Sequence, residues 1–91
     1  MNKQVHLLIF GDVIGVGFRA WMVRQAGKLG LTGWVRNNDY KSVEAVIEGP
    51  RDKLEKIIIL CKKGPDISWV EKVEVSWSEA TGELEGFRIK Y

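Results

Sequence analysis

Between Gly11 and Arg19 the chain reads G-D-V-I-G-V-G-F-R, a glycine-spaced loop that runs into an arginine. Glycines at 15 and 17 tolerate positive φ, so the backbone there can turn successive amides inward. Inward N–H groups form a nest for an anion, and a helix N-terminus behind them adds partial positive charge. Arg19 contributes a full charge and a planar fork that matches a phosphoryl group. The same glycines also describe a plain strand-to-helix turn with Arg19 in solvent. Asn37 is the second candidate. Its amide offers both a donor and an acceptor, so it can orient a water without titrating. Asn is equally common where a strand gives way to a hairpin turn.

The elements that must position these residues follow from periodicity. Val5 to Phe10 (V-H-L-L-I-F) is apolar, partly β-branched, and stops at Gly11, which predicts a first strand. Phe18, Met22, Ala26 and Leu29 recur at helical spacing, with Arg24, Gln25 and Lys28 opposite them. Gly30 suits the C′ position of this helix, and Leu31 can fold back as its apolar contact. Gly33 to Asn37 is a short second strand. Ser42 to Glu48 alternates, with Val43, Ala45 and Ile47 facing one way and Glu44, Val46 and Glu48 the other. That is a third strand, joined to the second through Asn38-Asp39-Tyr40-Lys41. Pro50 suits the first turn of a second helix, whose buried stripe is Leu54, Ile57, Ile58 and Cys61 and which ends at Gly64-Pro65. Val70 to Trp77 alternates as a fourth strand, and Phe87 to Tyr91 makes a short terminal strand.

The order β-α-β-β-α-β plus a short C-terminal strand predicts an α+β fold of the ferredoxin-like, split β-α-β type. The expected form is a sandwich: one antiparallel sheet with both helices on one face. Right-handed crossovers predict the strand order 4-1-3-2. The first and second strands then run parallel with the third between them, so their C-terminal ends share one edge of the sheet. The glycine loop and Asn37 are expected to face each other there.

Composition narrows the function. The 91 residues suit one small domain over 1–91, which buries roughly 60–65% of its unfolded surface. Fourteen Lys and Arg against twelve Asp and Glu leave +2, too weak a field to wrap nucleic acid but compatible with a local anion pocket. Cys61 is the only cysteine and His6 the only histidine, which excludes an internal disulfide and a cysteine-built metal cluster. A metal site is not expected. The longest apolar run, Ile57 to Cys61, is far too short to span a bilayer, and the N-terminus does not read as a signal peptide. A cytoplasmic protein is expected. His6 reads as structural and Cys61 as a small core residue. The four tryptophans read as core or partly exposed packing. Glu44 and Glu48 read as solvated surface.

The motifs together resemble those of the acylphosphatase family. G-D-V-I-G-V-G-F-R is similar to that family's first signature, G-x-V-Q-G-V-x-F-R. Gly33 to Asn37 (G-W-V-R-N), followed by Ser42-Val43-Glu44-Ala45 and Glu48-Gly49, resembles the second. Lys63-Gly64-Pro65, Val70 to Val75, Thr81-Gly82-Glu83 and Gly86-Phe87-Arg88-Ile89 fit as well, so the resemblance spans nearly the whole chain. It implies a cytosolic enzyme that hydrolyses small acyl phosphates to a carboxylate and inorganic phosphate, without metal or organic cofactor. Carried over by motif position, Arg19 binds the phosphoryl oxygens and Asn37 holds the attacking water. Backbone amides around Gly15, Val16, Gly17 and Phe18 form the cradle.

Two positions depart from the family pattern. Ile14 stands where Gln is usual, and Tyr40-Lys41 where Asp-Gly is usual. The first removes a polar side chain beside the cradle and predicts reduced or retuned activity. The second predicts a looser hairpin behind Asn37. The alternative is a phosphate-binding or regulatory domain that keeps the cradle and has lost turnover. A nucleic-acid module on this scaffold would carry aromatics on its central strands, and the third strand has none. A monomer is the expectation.

Overall fold

Along β1 (Asn2–Asp12), Val5, Leu7 and Ile9 are fully buried while the residues between them are only partly covered. This period of two means that one face of the strand is against a core. The computed structural model describes residues 1–38 and 41–91. The other elements are α1 (Phe18–Lys28), β2 (Thr32–Asn37), β3 (Ser42–Pro50), α2 (Arg51–Lys63), β4 (Trp69–Glu79) and β5 (Phe87–Ile89).

Register carries the alternation across the sheet. Val5 pairs with Ile47, Leu7 with Ala45 and Ile9 with Val43, so three buried residues of β1 meet three of β3. Phe18, Met22 and Ala26 of α1 and Leu54, Ile57, Ile58 and Cys61 of α2 join these residues in one core cluster. Both helices therefore cover the same face, as expected. α1 lies over β2 and β5, and α2 over β1, β3 and β4.

The strand order is β4-β1-β3-β2-β5. The four long strands are antiparallel neighbours in the expected order 4-1-3-2. The sheet as a whole is mixed, because β5 runs parallel to β2. Connectivity explains this departure. β4 runs antiparallel to β1 and ends beside Lys3, at the end of the sheet where β2 begins. The chain then crosses past the end of β3 and can only run up beside β2 in the parallel sense. Glu48 of β3 grips that crossing. Its Oε2 accepts from the Thr81 amide at 2.7 Å, the Thr81 hydroxyl at 3.0 Å and Gln4 Nε2 at 2.6 Å, and its Oε1 from the Gly82 amide at 3.1 Å.

This corrects the reading of Glu44 and Glu48 as solvated. Glu48 is 4% exposed, and the Glu44 side chain is largely covered between His6 and Arg36. Their strand face carries no helix, but these acids pair across it with polar partners from three other segments. Pro50 also sits one residue outside its expected place: it is the N-cap of α2, in extended conformation, and the helix begins at Arg51. β1 and β4 outrun their apolar cores, because polar end residues such as Lys3 and Glu79 pair with each other at 2.7 Å. The hairpin residues Asp39 and Tyr40 lie outside the described residues. Trp69 is 63% exposed and Trp77 39%, so neither is a core residue.

α1 ends as its sequence predicts. The Leu31 amide donates to the Ala26 carbonyl at 3.0 Å and the Gly30 amide to Gly27 at 3.2 Å, with Gly30 at φ 69°. This Schellman closure turns the buried Leu31 back onto the core.

Candidate active site

The loop after β1 begins at a break in the ladder. The β1–β4 register shifts between Phe10 and Gly11. Gly11 has φ 136°, and a Cβ there would lie 2.2 Å from the Trp69 carbonyl oxygen. Only glycine allows this close approach, and the resulting bulge re-aims the chain out of the sheet. Val13 then drops into the core and pins the loop from below.

Gly15 and Gly17 have φ 75° and 76°. A Cβ at either would meet nothing within 4 Å. Glycine is required at both for torsion and not for room, and the space beside them is open. Gly17 is the N-cap of α1 and supplies no side-chain cap, and the first turn carries no acid. The first amides of α1 thus keep the donors and partial positive charge that a helix start offers an anion. Phe18 is buried, packs on Trp21 with ring centroids 5.2 Å apart, and so anchors this end of the helix to the core.

Arg19 is half-buried at the same helix start. Among the described residues no carboxylate pairs with it; its guanidinium carbon lies 5.7 Å from the centre of the Tyr91 ring. Asn37 is the last residue of β2, held by its backbone pairing with Val43, and its side chain is exposed.

These residues line a single cleft of about 110 Å³: Gly15, Gly17, Phe18, Arg19 and Asn37, with Val13, Ala20 and Ile89. The shared sheet edge inferred from topology therefore does bring the loop and Asn37 together. Val16 is not among the lining residues; it is half-buried and packs on the core. Ile14 likewise leans on the core. Ile89 was not legible as a site residue. It reaches the cleft because β5 lies along β2, a placement no local pattern announces.

Among the described residues that line the cleft, Arg19 is the one titratable side chain. The perturbed groups lie elsewhere. The Glu44 carboxyl is held below its ordinary range chiefly by its hydrogen bond with His6, against the opposing effect of burial, with help from Arg36. Burial pushes Glu48 up, but the donors from Thr81, Gln4 and Gly82 more than offset it and leave it lowered. Burial pushes the Cys61 thiol up to about 12, so it stays protonated and unreactive. Among the described residues no group of three or more His, Cys, Asp or Glu is placed to hold a metal ion. No helix among them is long and apolar enough to cross a membrane.

A ferredoxin-like α+β fold with an arginine beside a glycine-built cleft is the class that fold and site define. The acylphosphatase family model matches residues 5–89, and the chain belongs to that family. It is 51% identical over 89 residues to an acylphosphatase of Pyrobaculum islandicum, covering 97% of this chain and 94% of that one. It is 50% identical over 86 residues to one of Thermococcus kodakarensis, covering 94% and 93%. The crystal structure of acylphosphatase from Bacillus subtilis superposes with a TM-score of 0.93 at 35% identity, covering 98% of this chain and 99% of that one. Full-length HypF matches with a TM-score of 0.91 at 30% identity over all of this chain and 12% of its own length.

Proposed function

We propose that this acylphosphatase hydrolyses acyl phosphates in the cleft between the glycine loop and the end of β2. Arg19 and the backbone amides of Gly15 to Phe18 hold the phosphoryl oxygens, and Asn37 orients the attacking water. The water oxygen forms a bond to phosphorus as the bond from phosphorus to the acyl oxygen breaks. The bonding pair leaves with the carboxylate. The water's proton passes to a phosphoryl oxygen, and the products are a carboxylate and inorganic phosphate.

The observation that carries this reading is the cleft itself. Among the described residues it joins a guanidinium that pairs with no carboxylate, a positive-φ glycine pair, a helix start and an exposed amide, with no acid or base elsewhere in its lining. An acyl phosphate is a mixed anhydride whose leaving group has a conjugate-acid pKa of roughly 4, so it departs without a general acid. Charge stabilisation and alignment of water are what remain for the protein. A preorganised donor of this kind is typically worth about 3 kcal/mol, or 10²–10³ in rate. In this reading residues 1–91 act as one domain, as a cytoplasmic monomer, on a small acyl phosphate and not on nucleic acid, and no metal or cofactor takes part.

The test is hydrolysis of an aryl acyl phosphate with chelator present, for wild type, Arg19→Ala and Asn37→Ala. Turnover that persists in chelator and falls at least about 10²-fold in each variant, with melting unchanged, is the expected result. Near-normal turnover in either variant refutes that residue's role. Phosphate binding without turnover in the wild type points instead to a site that has lost its chemistry.

A further inference from the structure

We propose that Tyr91 is the acyl-side contact of this site and biases it toward aryl over short aliphatic acyl phosphates. The inference rests on the reading of Arg19 as the phosphoryl ligand. The cleft of about 110 Å³ lies well below the roughly 300 Å³ at which pockets begin to enclose a whole organic ligand. It has room for the phosphoryl group, so the acyl group must lie outside it, against whatever stands at the mouth. After β5, whose Ile89 walls the cleft, the chain continues two residues to Tyr91, whose ring stands 5.7 Å from the Arg19 guanidinium carbon. Tyr91 is an exposed residue. It is not among the residues of the core cluster, yet it stands beside the arginine of the cleft.

A phosphoryl group on Arg19 puts the carbonyl carbon of the substrate one oxygen away from phosphorus, on the side that opens to solvent. An aryl group on that carbon can then lie against the Tyr91 ring in an offset or edge-on arrangement. Such ring pairs gain free energy beyond simple area burial. A methyl group offers the ring far less. Tyr91 thus acts on binding of the acyl group and not on the bond-making step. Its hydroxyl takes no part, because the contact needs only the ring.

The experiment compares kcat and KM for benzoyl phosphate and acetyl phosphate in wild type, Tyr91→Ala, Tyr91→Phe and Arg19→Ala. In Tyr91→Ala the benzoyl-to-acetyl ratio of kcat/KM is expected to fall about three- to tenfold, through a higher KM for benzoyl phosphate. Tyr91→Phe is expected to keep the wild-type ratio, and melting is expected to be unchanged in both. An unchanged ratio in Tyr91→Ala overturns the proposal. So does an equal loss of kcat for both substrates, which would mean that the ring only steadies Arg19. Near-normal turnover in Arg19→Ala removes the reading beneath the proposal, whereas lost turnover there with an unchanged ratio in Tyr91→Ala overturns this inference alone.

Discussion

Gly64, at the end of α2, makes room for Phe18, at the start of α1. A Cβ on Gly64 would lie 3.0 Å from Phe18 Cε2 and 2.4 Å from Ser68 Oγ, and its φ of 72° is one that side-chain-bearing residues rarely adopt. The C-cap of one helix thereby sets the seat of the residue that opens the other, and Phe18 lines the cleft. Gly64→Ala is expected to cost about 1–3 kcal/mol from backbone strain and crowding. It should also weaken phosphate binding by shifting Phe18. Thermal melting and inhibition by inorganic phosphate check both effects; a variant that melts like wild type removes the argument.

Acid stability turns on Glu44, which accepts from Arg36 Nε at 2.7 Å and lies 2.6 Å from His6 Nε2. Its carboxyl is lowered from an ordinary value of 4.5. The unfolded chain therefore takes up this proton before the folded one does as pH falls. The stabilisation is present above the unfolded value and is lost as pH drops through the folded one, that is, below about pH 5. Glu44→Gln is expected to lose about 2 kcal/mol at neutral pH. Its deficit against wild type should shrink on going from about pH 5 to about pH 3. Urea unfolding across that range reads the difference, and a deficit that stays constant with pH contradicts the assignment.

The order of elements and the meeting of Arg19 with Asn37 were legible in the sequence because each rests on a local signal. Alternation in β1 and β3, the i, i+4 stripe of Phe18, Met22 and Ala26, and right-handed crossovers suffice to put the glycine loop and Asn37 at one sheet edge. What was not legible depends on pairs distant in sequence. Glu48 looks like a surface acid until Thr81 and Gly82, more than thirty residues on, bring three donors to it. The parallel placement of β5, and with it Ile89 in the cleft, follows from where β4 ends and from no pattern within Phe87 to Ile89. Alternation showed which strand face Glu44 occupies, but it did not show that His6 and Arg36 close over it.

Glu48 ties the crossing from β4 to β5, so its loss should be felt at β5. Removing it strands the Thr81 and Gly82 amides and the Gln4 side chain and is expected to cost about 2–3 kcal/mol. The Gly33 amide, which donates to the Gly86 carbonyl at 2.8 Å, and the Lys90 amide, which donates to Val35 at 2.8 Å, should then exchange faster in Glu48→Ala than in wild type. Turnover should fall with them, because Ile89 walls the cleft. Amide exchange at Gly33 and Lys90 that matches wild type after Glu48→Ala would falsify this coupling.

Ile14 sets stability against activity. It lies between Val13 and Gly15, which line the cleft, and it is half-buried against the core where the family pattern has a glutamine. The isoleucine contributes apolar burial and, in the proposed mechanism, leaves the cradle to the backbone and Arg19. Ile14→Gln exchanges that burial for an amide with a donor and an acceptor beside the proposed phosphoryl site. Losing part of a buried side chain is expected to cost about 1 kcal/mol and to lower the melting temperature by about 4–8 °C. The added polar group is expected to raise kcat/KM for an aryl acyl phosphate by about tenfold, the worth of one hydrogen bond to a charged group. Melting and turnover measured on the same preparation read the two effects together. A variant that is less stable and no more active would show that the backbone amides already saturate the phosphoryl oxygens on this side, and that Ile14 serves packing alone.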